Sequence, residues 1–171
     1  MIDPKTKLSE HFTLAEMTAS ASHPEIYNVP PLTVVDNLVT VCQWLEDLRA
    51  AYNIRYAQRI KDNGERIKDV TDEPLLINSG YRSKTLNKVV GGALNSNHLT
   101  GCAADIRCRG KDANERAQMA LRYATLLIEI ADKRKQRFDE LIIERKGVNW
   151  WVHFAVRPDN NRMWITVINK S

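Results

Sequence analysis

The chain reads as α+β, with helices packed on one antiparallel sheet. Two observations predict this. Apolar residues recur at helical spacing in two long segments, 32–52 and 112–133, and three strand-like runs follow the second segment one after another. The order is therefore helices, strand, helix and then a strand meander. No repeat, low-complexity tract or linker divides the 171 residues, so 1–171 is expected to form a single domain with an N-terminal arm over about 1–30. A chain of this length buries roughly two thirds of its unfolded surface and needs neither disulfide nor metal merely to fold.

The elements follow in order. Leu8 to Ser20 opens with a short amphipathic element in which Thr13 and Glu16 have capping-box spacing. Ser22-His23-Pro24 and Val29-Pro30-Pro31 break regular structure. From Leu32 to Tyr52 the apolar stripe Val35, Leu38, Val41, Cys42, Leu45 and Leu48 predicts a long helix with one face in the core. Residues 54–73 are charge-dense and fit either a hairpin or an exposed loop. Leu75-Leu76-Ile77-Asn78 suits a buried strand, Thr85 to Val90 one or two helical turns stopped by Gly91-Gly92, and Ala103 to Arg107 another strand. Asp112 is a plausible N-cap for a helix running to about Lys133, with Met119, Leu126, Leu127 and Ile130 as its stripe and Lys133 to Arg137 as its basic, solvated end. Phe138 to Glu144, Trp150 to Val156 and Met163 to Ile168 are the closing strands, with turns at Gly147 and Pro158-Asp159-Asn160. Trp44 and Trp164 are expected in the core.

Composition excludes some functions. The chain is 43% apolar and 27% charged with a net charge of +4, as in an ordinary globular protein with a slight preference for anionic partners. Nucleic acid and a polyanionic cell wall satisfy that preference equally, but no aromatic–basic interleaving and no glycine-rich phosphate loop is present, so nucleic acid is not expected. No stretch approaches the ~20 apolar residues of a membrane span. Met1 to Lys7 lacks the apolar core of a signal peptide, so cytoplasmic synthesis is expected, and an extracellular target would need a separate route out. Cys42, Cys102 and Cys108 are an odd set without CxxC spacing and read as reduced thiols. A monomer is the expected state.

The chemistry concentrates in His98, Asp105 and His153. Two imidazoles and a carboxylate can hold a zinc ion on three sides and leave the fourth open, which is how hydrolytic zinc sites are built. Gly101 interrupts the run between His98 and Asp105, so one helix is an unlikely support. His98 in a loop or helical turn and Asp105 in the strand after it could both point into one cavity. Alternation along Trp150 to Val156 puts Trp151, His153 and Ala155 on one face and the apolar Trp150, Val152, Phe154 and Val156 on the other. His153 is then either a satisfied core histidine or a ligand on a sheet face. Cys102 lies nearby, as a ligand or as a small buried residue. His11 and His23 are not expected on a metal.

Several motifs occur in a telling order: Ser79-Gly80-Tyr81-Arg82-Ser83 with Leu86-Asn87, Ser96-Asn97-His98-Leu99-Thr100-Gly101 leading to Ala104-Asp105, Phe138-Asp139-Glu140-Leu141-Ile142, and Trp151-Val152-His153. Together they resemble the zinc D-Ala-D-Ala carboxypeptidase family, which includes phage endolysins cutting L-Ala-D-Glu bonds and shares its fold with the Hedgehog signalling domain. The resemblance runs from about Leu8 to Ala155. It implies a Hedgehog/DD-peptidase-like fold, Zn2+ as cofactor with His98, Asp105 and His153 as its ligands, and peptidoglycan stem peptides as substrate. It also implies Arg82 as the group steadying a carbonyl or a substrate carboxylate, with Ser96 at the position that contacts substrate. Trp151, on the same strand face as His153, is an indole wall expected to contact substrate. A phage or prophage lysis enzyme fits the missing signal peptide.

One departure stands out. Many relatives carry a carboxylate as general base three residues before the last histidine, where this chain has Trp150. Glu144, at the end of a neighbouring strand, is the expected base, with Asp139 a weaker substitute. The same departure keeps open an inactive zinc-containing wall-binding module or a phage particle component.

Overall fold

A computed structural model describes residues 3–57 and 72–170. The hairpin-or-loop expectation for 54–73 falls mostly outside them. In chain order the elements are α1 (Leu14–Thr18), α2 (Leu32–Tyr52) extended by a π-helical turn (Asn53–Ala57), β1 (Ile77–Ser79), α3 (Lys84–Val89), a 3-10 turn (Asn97–Thr100), β2 (Ala103–Arg107), α4 (Ala113–Arg134), β3 (Glu140–Lys146), β4 (Asn149–Ala155) and β5 (Trp164–Lys170). Local signals set the helix starts. Thr13 and Glu16 form the reciprocal capping box of α1, and Asp112 accepts from the Glu115 amide to begin α4. Lys135 ends α4 in the left-handed conformation, φ 53°.

The five strands form one sheet in the order β1-β2-β4-β3-β5. Its core face carries Ala104, Ile106, Val152, Phe154, Leu141 and Ile143, and α2 and α4 pack together over it through Leu38, Leu45, Leu48, Tyr123 and Leu127. Leu8, Phe12, Leu14 and Met17 of the N-terminal segment are buried in the same cluster. Among the described residues no helix is long and apolar enough to cross a membrane.

The sheet is mixed, which corrects the antiparallel expectation. β5 pairs parallel to β3, with Glu140 opposite Trp164 and Lys146 opposite Lys170. A meander would place β5 on β4, but β2 already occupies that edge with Asp105 opposite His153. The 156–163 connection therefore passes the start of β3 and lays β5 on the far edge. It is pinned there by Met163 N donating to Phe138 O at 3.0 Å, Trp164 N to Asp139 O at 3.0 Å, and a two-pronged Arg162–Asp139 pair at 2.8 Å. This placement also corrects Trp164. It sits on an edge strand, on the sheet face away from the helices, and is 47% exposed, whereas Trp44 is buried against Phe154.

Candidate metal centre

The sheet face opposite the helices holds the polar residues. Cross-strand partners share a face, so the row Ser79, Asp105, His153, Ile142, Thr166 runs from β1 to β5 on that side. The register thus brings Asp105 of β2 and His153 of β4 side by side, although 47 residues separate them in sequence.

His98 arrives from the 3-10 turn. Ser96 caps that turn by accepting from the His98 amide at 3.3 Å, and Gly101 closes it at φ 71°. A Cβ at Gly101 would lie 2.6 Å from the Val34 side chain and 2.9 Å from its carbonyl, so sterics and backbone angle both require glycine there. The reversal sends the chain directly into β2, and this is how residues 98 and 105 converge without a shared helix. Gly80 works in a similar way. A Cβ there would stand 2.3 Å from Met17 O, and its bare backbone lets β1 approach α1. The Gly80 carbonyl then meets His98 Nδ1 at 2.6 Å.

Asp105 is the hub. Its Oδ1 faces His98 Nε2 at 3.2 Å and His153 Nδ1 at 2.9 Å, and its Oδ2 accepts from Arg82 Nη2. The outer nitrogen of each imidazole is tied elsewhere, His98 Nδ1 to the Gly80 carbonyl and His153 Nε2 to Glu140 Oε2 at 3.1 Å. Each inner nitrogen is thereby aimed at the shared oxygen. All three residues are buried, and their donor atoms lie within 4.8 Å of one another. Two imidazole nitrogens and one carboxylate oxygen, close together and with their outer atoms already engaged, fit a tetrahedral divalent cation with a fourth position open.

The electrostatics suit a cation as well. Burial favours the neutral ring of His98 and lowers its pKa against the pull of Asp105. Burial also works against charge on His153, but its bonds to Asp105 and Glu140 prevail and hold it up at about 9. For Asp105, burial is outweighed by the two imidazoles, and the carboxyl stays well below the usual carboxylate range. The His153 contact likewise lowers Glu140.

The other expected residues take distinct places. Arg82 is held by Ser79 Oγ at 2.7 Å and by Asp105. Together with Ser79, Asp105, Trp151 and Lys170 it lines a cleft of about 380 Å³. Ser96 lies apart from that cleft, in a separate hollow of about 480 Å³ with Leu94 and Arg157. Glu144 lies across from Trp151 on the open face, 2.9 Å from Lys170 Nζ, and Lys170 in turn stands over the Trp151 ring. Asp139 is fully buried, with Arg162 and Asn97 on its oxygens. Trp150 is on the core face. Cys102 is buried with its thiol toward Thr100 O, and His11 and His23 pair with Glu46 and Glu25. Asn97, Glu140, Arg162 and Lys170 went unassigned in the sequence reading. The first two stand inside the ordered motifs, but Glu140 meets His153 through strand register and Asn97 meets Asp139 and Glu140 through the packing of its turn on the sheet, which no local pattern displays.

Residues 56–138 match the family model described as peptidase M15. This segment, just under half of the chain, is similar to the peptidase M15 family. The match contains Arg82, Ser96, His98 and Asp105, and β4 supplies His153 from beyond it. The chain is also similar to the zinc D-Ala-D-Ala carboxypeptidase of Streptomyces albus G, 54% identical over 35 residues. That stretch is 20% of this chain and 14% of the relative, so the chain matches only a small part of that protein.

Proposed function

We propose that this chain is an M15-type, zinc-dependent peptidase acting on the peptide stems of bacterial peptidoglycan. One observation carries the reading: two buried imidazole nitrogens face a single Asp105 oxygen beside a cleft lined by Arg82. The motif resemblance and the similarity to a zinc D-Ala-D-Ala carboxypeptidase support the metal and the substrate class. A zinc ion held by His98, Asp105 and His153 would polarise a scissile carbonyl and lower the pKa of a bound water to about 7.

The chain's own residues supply the rest. Arg82 spends Nε on Ser79 and Nη2 on Asp105. Nη1 makes no hydrogen bond among the described residues and is the donor available to a substrate carboxylate or a developing oxyanion. Trp151 forms a flat apolar wall of the cleft. Glu144 is the proton shuttle. It stands at the Trp151 end of the open face, where the cleft lies, and Lys170 fixes its carboxylate. It takes a proton during attack and returns it to the leaving amine. Asp139 is a poor substitute, because both its oxygens are committed to Arg162 and Asn97.

The test is mass spectrometry of purified peptidoglycan and of stem pentapeptides ending in D-Ala-D-Ala, incubated with the zinc-loaded protein. Release of D-Ala or of new amino termini, stopped by a chelator and restored by zinc, is expected. Intact substrate in the presence of fully zinc-loaded protein would reject the reading, and wall binding without cleavage would favour a binding module.

A further inference from the structure

We propose that Glu140 is a positioning residue that sets His153 for metal binding, and that Asn97 and Arg162 hold it in place. The inference rests on the zinc reading above. Glu140 Oε2 faces His153 Nε2 at 3.1 Å, the ring atom that points away from Asp105. The same oxygen accepts from Asn97 Nδ2 at 3.0 Å, and the other accepts from Arg162 Nη2. Asn97 also donates to Asp139 at 2.9 Å, and Arg162 grips both Asp139 oxygens. Three side chains therefore hold the Glu140 carboxylate directly, and Asp139 braces two of them.

The arrangement has a chemical consequence. A carboxylate that accepts the Nε2 proton fixes the tautomer, leaves the Nδ1 lone pair pointing inward, and makes that nitrogen a stronger donor. His98 receives the weaker version of the same support from a backbone carbonyl. Asn97 is the chain neighbour of His98, so the segment that delivers one imidazole also braces the carboxylate that orients the other. Glu140 is badly placed to be the proton shuttle. It lies opposite Ala155, whereas the cleft opens toward Trp151 on the other side of His153.

The test measures Zn2+ affinity by competition with a chromophoric chelator for the wild-type protein, Glu140→Ala, Glu140→Gln and Glu46→Gln. Glu46 binds Ser9 and His11, remote from the triad, and its variant controls for general loss of stability. Glu140→Ala is expected to bind Zn2+ about 10–100-fold more weakly. Glu140→Gln, which still accepts the ring proton but without charge, should fall between it and wild type, and Glu46→Gln should match wild type. In the zinc-loaded wild type, NMR should show a slowly exchanging His153 Nε2 proton that Glu140→Ala loses. Affinities of both Glu140 variants within twofold of wild type overturn the proposal and leave the zinc reading standing. If Glu140→Ala does not fold, Glu140→Gln decides on the same criterion. A wild-type protein that binds no Zn2+ overturns the zinc reading and this inference together.

Discussion

At the scale of single residues, protons and metal compete for the same atoms. His153 is held up at about 9, so at pH 7 the metal-free ring is charged, whereas His98 is lowered and Asp105 is ionised. Zinc needs a neutral imidazole. Each zinc bound near pH 7 should therefore displace about one proton, and affinity should rise about tenfold per pH unit until pH approaches 9. Isothermal titration in buffers of different ionisation enthalpy reads the proton count, and zero released protons would contradict the assignment. Glu144→Gln tests the shuttle. Turnover should fall by about 10²–10⁴-fold while zinc content stays the same, and unchanged turnover would exclude Glu144.

Elements carry these residues, and two side chains clamp the elements. Asn28 is buried. Its Nδ2 donates to Thr18 O at 2.7 Å and Tyr81 O at 2.9 Å, and its Oδ1 accepts from Ser83 N at 2.6 Å. It joins the end of α1 to the loop that bears Arg82. Asn28→Ala leaves these backbone groups unpaired and should cost about 2 kcal/mol in urea unfolding. Asp139 clamps the 156–163 connection. Although burial opposes its ionisation, bonds from Arg162 and Asn97 pull its pKa from 3.8 down to about 2. A depressed acid stabilises the fold above its unfolded pKa, and that support fades as pH drops from about 4 through 2. Asp139→Asn should therefore flatten the acid limb of the stability curve by about 2 kcal/mol. An unchanged limb would mean that the Arg162 pair contributes nothing.

For the whole molecule, a bound metal would be linked to the fold. The core of α2, α4 and the sheet is complete without a metal, so the metal-free protein should remain folded. Zinc at 100 times its dissociation constant should add about 2.7 kcal/mol, or about 5–10 °C in melting temperature for a chain of this size. At a fixed zinc concentration that gap should widen from pH 6 to pH 8.5. Proton competition weakens as pH rises, and the metal-free form loses the stability that protonated His153 contributes as pH climbs from 6.5 through about 9. Scanning calorimetry with and without chelator measures it, and a gap that narrows with pH would reverse the assigned sign.

Local physics explains how much of this could be read from sequence. The α2 stripe, the Thr13 capping box and the Asp112 cap depend on neighbours within four residues, so local periodicity and residue spacing were sufficient to place them. Alternation in 150–156 separated His153 from Val152 and Phe154 because side chains in a strand point to opposite faces. The ordered motifs around Arg82, His98, Asp105 and His153 made the resemblance legible for the same reason, since each motif is a local string. Long-range pairing left no such mark. The parallel seat of β5 follows from β2 having taken the edge of β4, and the exposure of Trp164 follows from that. Glu140 meets His153 only because their strands lie in one register. The sequence alone determined the elements and the candidate donors, through interactions a few residues long. Only the tertiary structure decided which donors share an oxygen and which carboxylate backs which ring, because those contacts depend on strand order and register across the whole sheet.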